Sequence, residues 1–213
     1  MKQNPARPWI RRGGFLFLLI AVLLSGWYLL RPNPLRAAAV EFANAIRHGD
    51  GDALLQATSP QERQCSGLDA AKLRSAWEIL VGPRVGSSRF LRSEQAKQTS
   101  NELQATAAIW FADRDGNPWS IVAIANQADW GPATTILYPM LSIASRFDSE
   151  GKALKGITTE SALAGIRRYR PQLEAIGIQR ILLSPRRCMT WDELEGMLVR
   201  SIELERQQQT TQR

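Results

Sequence analysis

IWFADRDGNPWSIV, residues 109–122, decides the fold class. Two runs rich in aromatic and β-branched residues flank DRDGNP, and Asp-Gly between apolar runs marks a β-hairpin. ELQATAA before it and AIANQ after it lengthen the two strands. RVGSSRFLRSEQA, from residue 84, reads as a further strand. Trp130-Gly131-Pro132 marks a break. ATTILYPMLSIASRFD then reads as a strand that gives way to a helix. Leu137, Met140, Leu141, Ala144 and Phe147 share one face of that helix, and Pro139 is tolerated in its first turn.

Upstream of residue 84 the period is helical. Ala37 to His48 places Val40, Ala43 and Ile46 on a stripe beside Phe42, and Gly49 stops it. Asp50 or Asp52 caps a short helix, DALLQAT, which Ser59-Pro60 ends. Asp69 to Val81 puts Leu73, Trp77 and Leu80 on one face, ended by Gly82-Pro83. Downstream, Glu150 to Gly156 is a polar link. A helix follows from Thr159 with Leu163, Ile166, Leu173 and Ile176 inward, and Pro171 kinks or divides it. QRILLSP reads as a single short strand. Thr190 with Glu193 forms a capping box for a last helix, whose buried stripe is Leu194, Leu198 and Ile202. Residues 207–213 read as a frayed, disordered tail.

At the other end, GGFLFLLIAVLLSGWYLL, residues 13–30, carries no charge and is closed by Arg11, Arg12 and Arg31. As a helix it would reach roughly 27 Å, enough for the hydrocarbon layer. Lys2, Arg7, Arg11 and Arg12 precede it, and this bias predicts a cytoplasmic stub over 1–12 and an extracytoplasmic domain. Trp27 and Tyr28 suit an interfacial anchor. A cleaved signal peptide is the alternative, with Ala37–Ala39 as its site, but RPNPLR at 31–36 suits a stiff linker after an uncleaved anchor better. At the acylated position of a lipoprotein box stands Trp27, so lipidation is excluded.

The chain has 213 residues, a net charge of +7 and a pI near 10.0. The excess is local. Residues 1–36 hold six Lys and Arg and no acid, which leaves 21 basic against 20 acidic residues in the remainder. A nucleic-acid partner is therefore not expected. Arg167, Arg168 and Arg170, like Arg180, Arg186 and Arg187, read as solvated clusters. Cys65 and Cys188 would bridge the two halves of the domain in an oxidising compartment, or stand as separate thiols.

FANAIRHGDGDALLQAT at 42–58 is similar to the first helix and Gly-Asp turn of the nuclear transport factor 2-like superfamily. The aromatic hairpin at 109–122 looks like that family's central strands. The resemblance covers residues 37–147. It implies an α+β fold in which helices pack on a curved antiparallel sheet to form a cone. Residues 148–206 would then be a helix–strand–helix extension. The family includes isomerases, ligand binders and non-catalytic modules, so the fold does not transfer a function. Anchored members with a cytoplasmic N-terminus occur in bacterial secretion machinery, which makes an envelope subunit of such an apparatus a further alternative.

Catalytic signatures are missing. His48 is the only histidine, and at a helix end it suits the dipole. With Cys65 and Cys188 it makes no metal-ligand spacing, so no metal or cofactor is expected. DRDGN lacks the spacing of a calcium loop, and GPRVGSS lacks the lysine of a phosphate loop. Trp77, Trp110, Trp119 and Trp130 all fall in the helix-plus-sheet unit. They either fill its core or line the mouth of a pocket for a small apolar ligand. An acid near them, such as Glu78 or Asp129, could serve as a base only inside such a pocket. The leading expectation is a membrane-anchored, non-catalytic module that binds an envelope protein partner. The alternative is a pocket that binds or isomerises a small molecule.

Overall fold

The computed structural model describes residues 34–95, 104–128, 131–184 and 187–211. The expected stub, the span at 13–30, linker residues 31–33, Asp129, Trp130 and Arg186 lie outside the described residues. No helix among the described residues is long and apolar enough to cross a membrane.

The first helix, α1 (Pro34–His48), begins three residues before the expected start, so the linker reading fails for Pro34–Arg36. The physical reason is that proline fits the first turn, where its missing N–H has no helical partner to lose. Leu35 is already buried. Gly49 ends the helix at φ 67°, and a Cβ there would collide with the Trp77 ring. Asp50 caps α2 (Gly51–Ala57) by accepting from the N–H groups of Asp52 and Ala53.

As expected, α2 stops at Ala57, ahead of the pair Ser59-Pro60. That pair opens α3 (Pro60–Ser66), with the Ser59 hydroxyl accepting from Glu62 N–H and proline in the first turn. Asp69 caps α4 (Ala70–Leu80), which ends before Gly82-Pro83 as expected, but that pair starts a further short helix, α5 (Gly82–Gly86), so the strand expected from residue 84 begins only at Arg89.

The sheet follows in the order β1 (Arg89–Gln95), β2 (Gln104–Ala112), β3 (Pro118–Ala128) and β4 (Gly131–Ala133), each antiparallel to the next. The hairpin loop is held by Asp113, which accepts from Asp115 and Asn117 backbone N–H groups at 3.0 and 2.7 Å. Its other oxygen accepts from Ala153 N–H at 2.9 Å, tying the loop to the segment after the sheet. Burial pushes the Asp113 carboxyl upward, and these donors outweigh it and hold the group below its usual range. The expected break falls between β3, which ends at Ala128, and the antiparallel β4, to which Gly131-Pro132 belong. The expected strand over ATTILY is confined to β4 and a parallel bridge from Thr134 to Thr58. Helix α6 (Leu137–Ala144) then begins, with Pro139 in its first turn.

Ala105, Ala107, Ile109 and Phe111 of β2 face inward with Trp119, Ile121, Ala123 and Ala125 of β3. The small alanines let α1 lie close on the sheet through Ala39, Phe42, Ala43 and Ile46. Phe111 stacks on Trp119 at 4.7 Å between ring centroids, and Phe147 meets Trp119 edge-on at 5.1 Å. Such pairs add to the area they bury.

The C-terminal part is helix, hairpin and helix, not helix, strand and helix. Thr158 and Ser161 form a capping box for α7 (Thr159–Ala175), which contains Pro171 within one helix. Strands β5 (Arg180–Ser184) and β6 (Arg187–Thr190) pair antiparallel and pack beside α3. Cys65 of α3 and Cys188 of β6 form a disulfide with 5.8 Å between their Cα atoms. Thr190 and Glu193 cap α8 (Trp191–Thr211) reciprocally. Trp191 and Leu194 are fully buried, Ile202 is buried, and Leu198 is half-buried. The helix runs to Thr211, so the tail expected from residue 207 is helical over most of its length.

Arg167 and Arg168 are exposed, as expected of a solvated face, but Arg170 is half-buried. Arg170 bonds Glu174, Asp192 and Glu195, and Arg167 bonds Glu195, which clasps α7 to α8. The bonds to Glu174, Asp192 and Glu195 raise the pKa of Arg170. From Pro34 onward the chain forms one compact unit.

Candidate functional site

The alternation that buries one side of the hairpin aims the other side away from the core. Trp110, Ala108 and Thr106 of β2 lie opposite Ser120, Val122 and Ile124 of β3. Val122 and Ile124 are 38% and 40% exposed, and Trp110 is half-buried. Helix α1 packs on the inner side, so these residues form an apolar strip across the outer face of the sheet. Arg92 and Glu94 of β1 flank it. Glu94 accepts from the Trp110 indole N–H at 3.0 Å, and the Arg92 guanidinium lies 5.3 Å from the Trp110 ring centroid. The indole is thereby held in one orientation.

At one end the strip runs into a cleft of about 350 Å³ between Trp110, Trp119, Ser120, Arg146 and the segment Leu154–Ile157. Leu154 and Ile157 are exposed at its rim. The Arg146 guanidinium is half-buried and donates to the Ser120 carbonyl at 3.2 Å. Burial lowers its pKa. Arginine stays cationic even so, because its ordinary pKa is so high.

A larger hollow of about 570 Å³ lies between α1 and α2. It is lined by alanines and by Glu41, Asn44, His48, Asp50 and Gln56. His48 stands there as an exposed residue at the end of α1. The Asp50 carboxylate caps α2 through one of its oxygens.

The four tryptophans singled out in the sequence have different fates. Trp77 is half-buried, donates its indole N–H to the Ile46 carbonyl and covers Gly49 and Gly82, which is a packing role. Trp119 is buried, bonds the Ser88 hydroxyl at 2.9 Å and closes the bottom of the cleft. Trp110 alone of the described three presents its ring to the outer face. Trp130 lies outside the described residues.

Glu62 is the one fully buried carboxyl group among the described residues. Its two oxygens accept from Ile136 and Leu137 N–H at 2.7 and 3.0 Å, capping α6 from a distant element. Burial pushes it up to about 7, against the downward pull of those two donors. Both oxygens are occupied, so the group has a structural partner and no free face for substrate. Among the described residues no three His, Cys, Asp or Glu side chains converge as metal ligands.

Sequence reasoning missed Glu62 and Arg146. Ser59-Pro-Gln-Glu62 has the spacing of a helix start, which was the available signal for the first. Arg146 had none, because its cleft is assembled from segments remote in sequence. Compared with protein-family models, with curated proteins and with solved structures, the chain matches none.

Proposed function

We propose that the protein is a membrane-anchored, extracytoplasmic, non-catalytic binding module of the nuclear transport factor 2-like type, and that the outer face of its sheet meets an envelope protein partner. The observation that carries this reading is the apolar strip of Trp110, Val122 and Ile124, aimed away from a core that is complete without it. An exposed apolar patch rimmed by polar residues marks an interaction surface. Helices followed by an antiparallel sheet support the family reading, and the uncharged run at 13–30 with its basic flank supports the anchor. The Cys65–Cys188 disulfide supports an oxidising compartment.

An enzyme needs ionisable groups converging on a cavity. The buried carboxylates of Glu62 and Asp113 are spent on backbone N–H groups instead. A photo-crosslinking amino acid placed at Val122 in intact cells tests the proposal. A discrete adduct at residue 122, missing when the crosslinker is at the exposed Leu204 of α8, is the expected result. Equal or no adducts at the two positions would refute it.

A further inference from the structure

We infer that the cleft at the end of the strip is a carboxylate subsite, in which Arg146 receives an acidic group carried beside an apolar one on the partner chain. The inference rests on the outer face being a docking surface and names what the partner brings to it.

The argument starts from charge. No carboxylate among the described residues pairs with Arg146, whereas Arg170, also half-buried, is met by three. One of the Arg146 N–H donors reaches Ser120, and the rest have no partner among the described residues. A structural role in holding the end of β3 accounts for that one bond only. A guanidinium that is half desolvated, planar and unpaired is the group that receives carboxylates in two-point fashion.

The surroundings agree. Among the described residues no acid lines the cleft, and Lys155 at its rim adds a second cation. The other walls are Trp110, Trp119, Leu154 and Ile157, so a bare inorganic anion would leave them uncovered. An apolar side chain next to a carboxylate fills both halves of the cleft. Trp110, fixed by Glu94, is the wall already oriented to receive it. The cleft also continues into the strip, because Ser120 and Val122 project from the same side of β3.

The source of the carboxylate is the partner's C-terminus or one of its acidic side chains, and the test separates these. The full chain, labelled with fluorotryptophan and held in detergent solution, is titrated with acetyl-phenylalanine, acetyl-Phe-Glu-amide, acetyl-phenylalaninamide and inorganic phosphate. The Trp110 fluorine resonance, assigned through Trp110→Phe, is the readout, and the Trp191 resonance reports that the fold is intact. At least one of the two carboxylates should shift Trp110 at millimolar concentration, and the amide should bind roughly tenfold more weakly. Phosphate should bind more weakly than the better carboxylate. Stronger binding of acetyl-phenylalanine points to a C-terminus, and of the Glu compound to a side chain. Arg146→Gln should erase the difference between acid and amide.

Equal response to acid and amide, no shift below about 10 mM, or discrimination that survives in Arg146→Gln would overturn the subsite. The wild-type acid–amide pair decides the matter even if Arg146→Gln fails to fold. Loss of discrimination with the residue-122 adduct intact removes the subsite alone. Discrimination without that adduct overturns the partner chain as the source.

Discussion

Cys65 and Cys188 are joined across 123 residues of sequence, and the bond holds the β5–β6 hairpin against α3. Closing a loop of that length restricts the unfolded chain strongly, so its loss costs about 2–5 kcal/mol. Cys65→Ser and Cys188→Ser should each lower stability by that amount, and the double substitution by no more than either. Denaturant titrations with and without a thiol reductant check this. The reductant should move the wild-type midpoint and leave the variants unmoved.

Helix α3 also carries Glu62, which makes stability depend on pH. Burial raises this carboxyl from 4.5 to about 7 in the folded chain. The folded state therefore holds the proton more tightly than the unfolded state. Its contribution is fully present below pH 4.5 and is lost as pH rises through about 7. The full swing is on the order of 3 kcal/mol. Asp113 works in the opposite sense. Its pKa is depressed, so the stability it contributes is present above 3.8 and lost as pH falls through its folded value. Thermal midpoints between pH 4.5 and 8 should fall for the wild type, with a flatter course in Glu62→Gln. Parallel curves would contradict the burial of an ionising group there.

Gly165 of α7 passes so close to Ser145 that an added Cβ would lie 1.9 Å from the hydroxyl oxygen. Gly165→Ala should therefore destabilise by about 1–3 kcal/mol despite the better helix propensity of alanine. Circular dichroism should show the helix content kept and the unfolding midpoint lowered. A neutral or stabilised variant would show that the two helices can part at no cost.

The last helix gives a graded test. Trp191 fills the core and bonds the Ile178 carbonyl at 2.9 Å, so Trp191→Ala should cost about 3–5 kcal/mol. Leu194→Ala should cost about 2–5 kcal/mol. Leu198 is only half-buried and should cost less than Leu194. Denaturant midpoints rank the three, and a loss at Leu198 equal to that at Leu194 would mean that α8 is seated differently.

What the sequence made legible was local. The Asp-Gly loop, the cap at Thr190, the choice of Asp50 or Asp52 as a cap, and the stripes of α1 and α4 depend on residues a few positions apart. Other signals have two meanings. Ser-Pro stops one helix and starts the next, so α3 was hidden behind Ser59-Pro60, and Gly82-Pro83 hid α5 likewise. The site was harder. Trp110 and Phe111 are adjacent large apolar residues, and only the strand register decides which faces the core. Arg146 becomes notable only when β2, β3 and Leu154–Ile157 meet around it, which no spacing in the chain announces.

The central claim is that the outer sheet face is a surface for a protein partner. The direct measurement is the mass of the native complex extracted from membranes in mild detergent, for wild type, Val122→Asp with Ile124→Asp, and Leu204→Asp. Because residues 122, 124 and 204 are exposed, all three chains should unfold at nearly the same midpoint. The account predicts a complex heavier than the lone chain for wild type and Leu204→Asp, and the lone chain for the double variant. A wild type that migrates alone, or a double variant that stays in the complex, would contradict it.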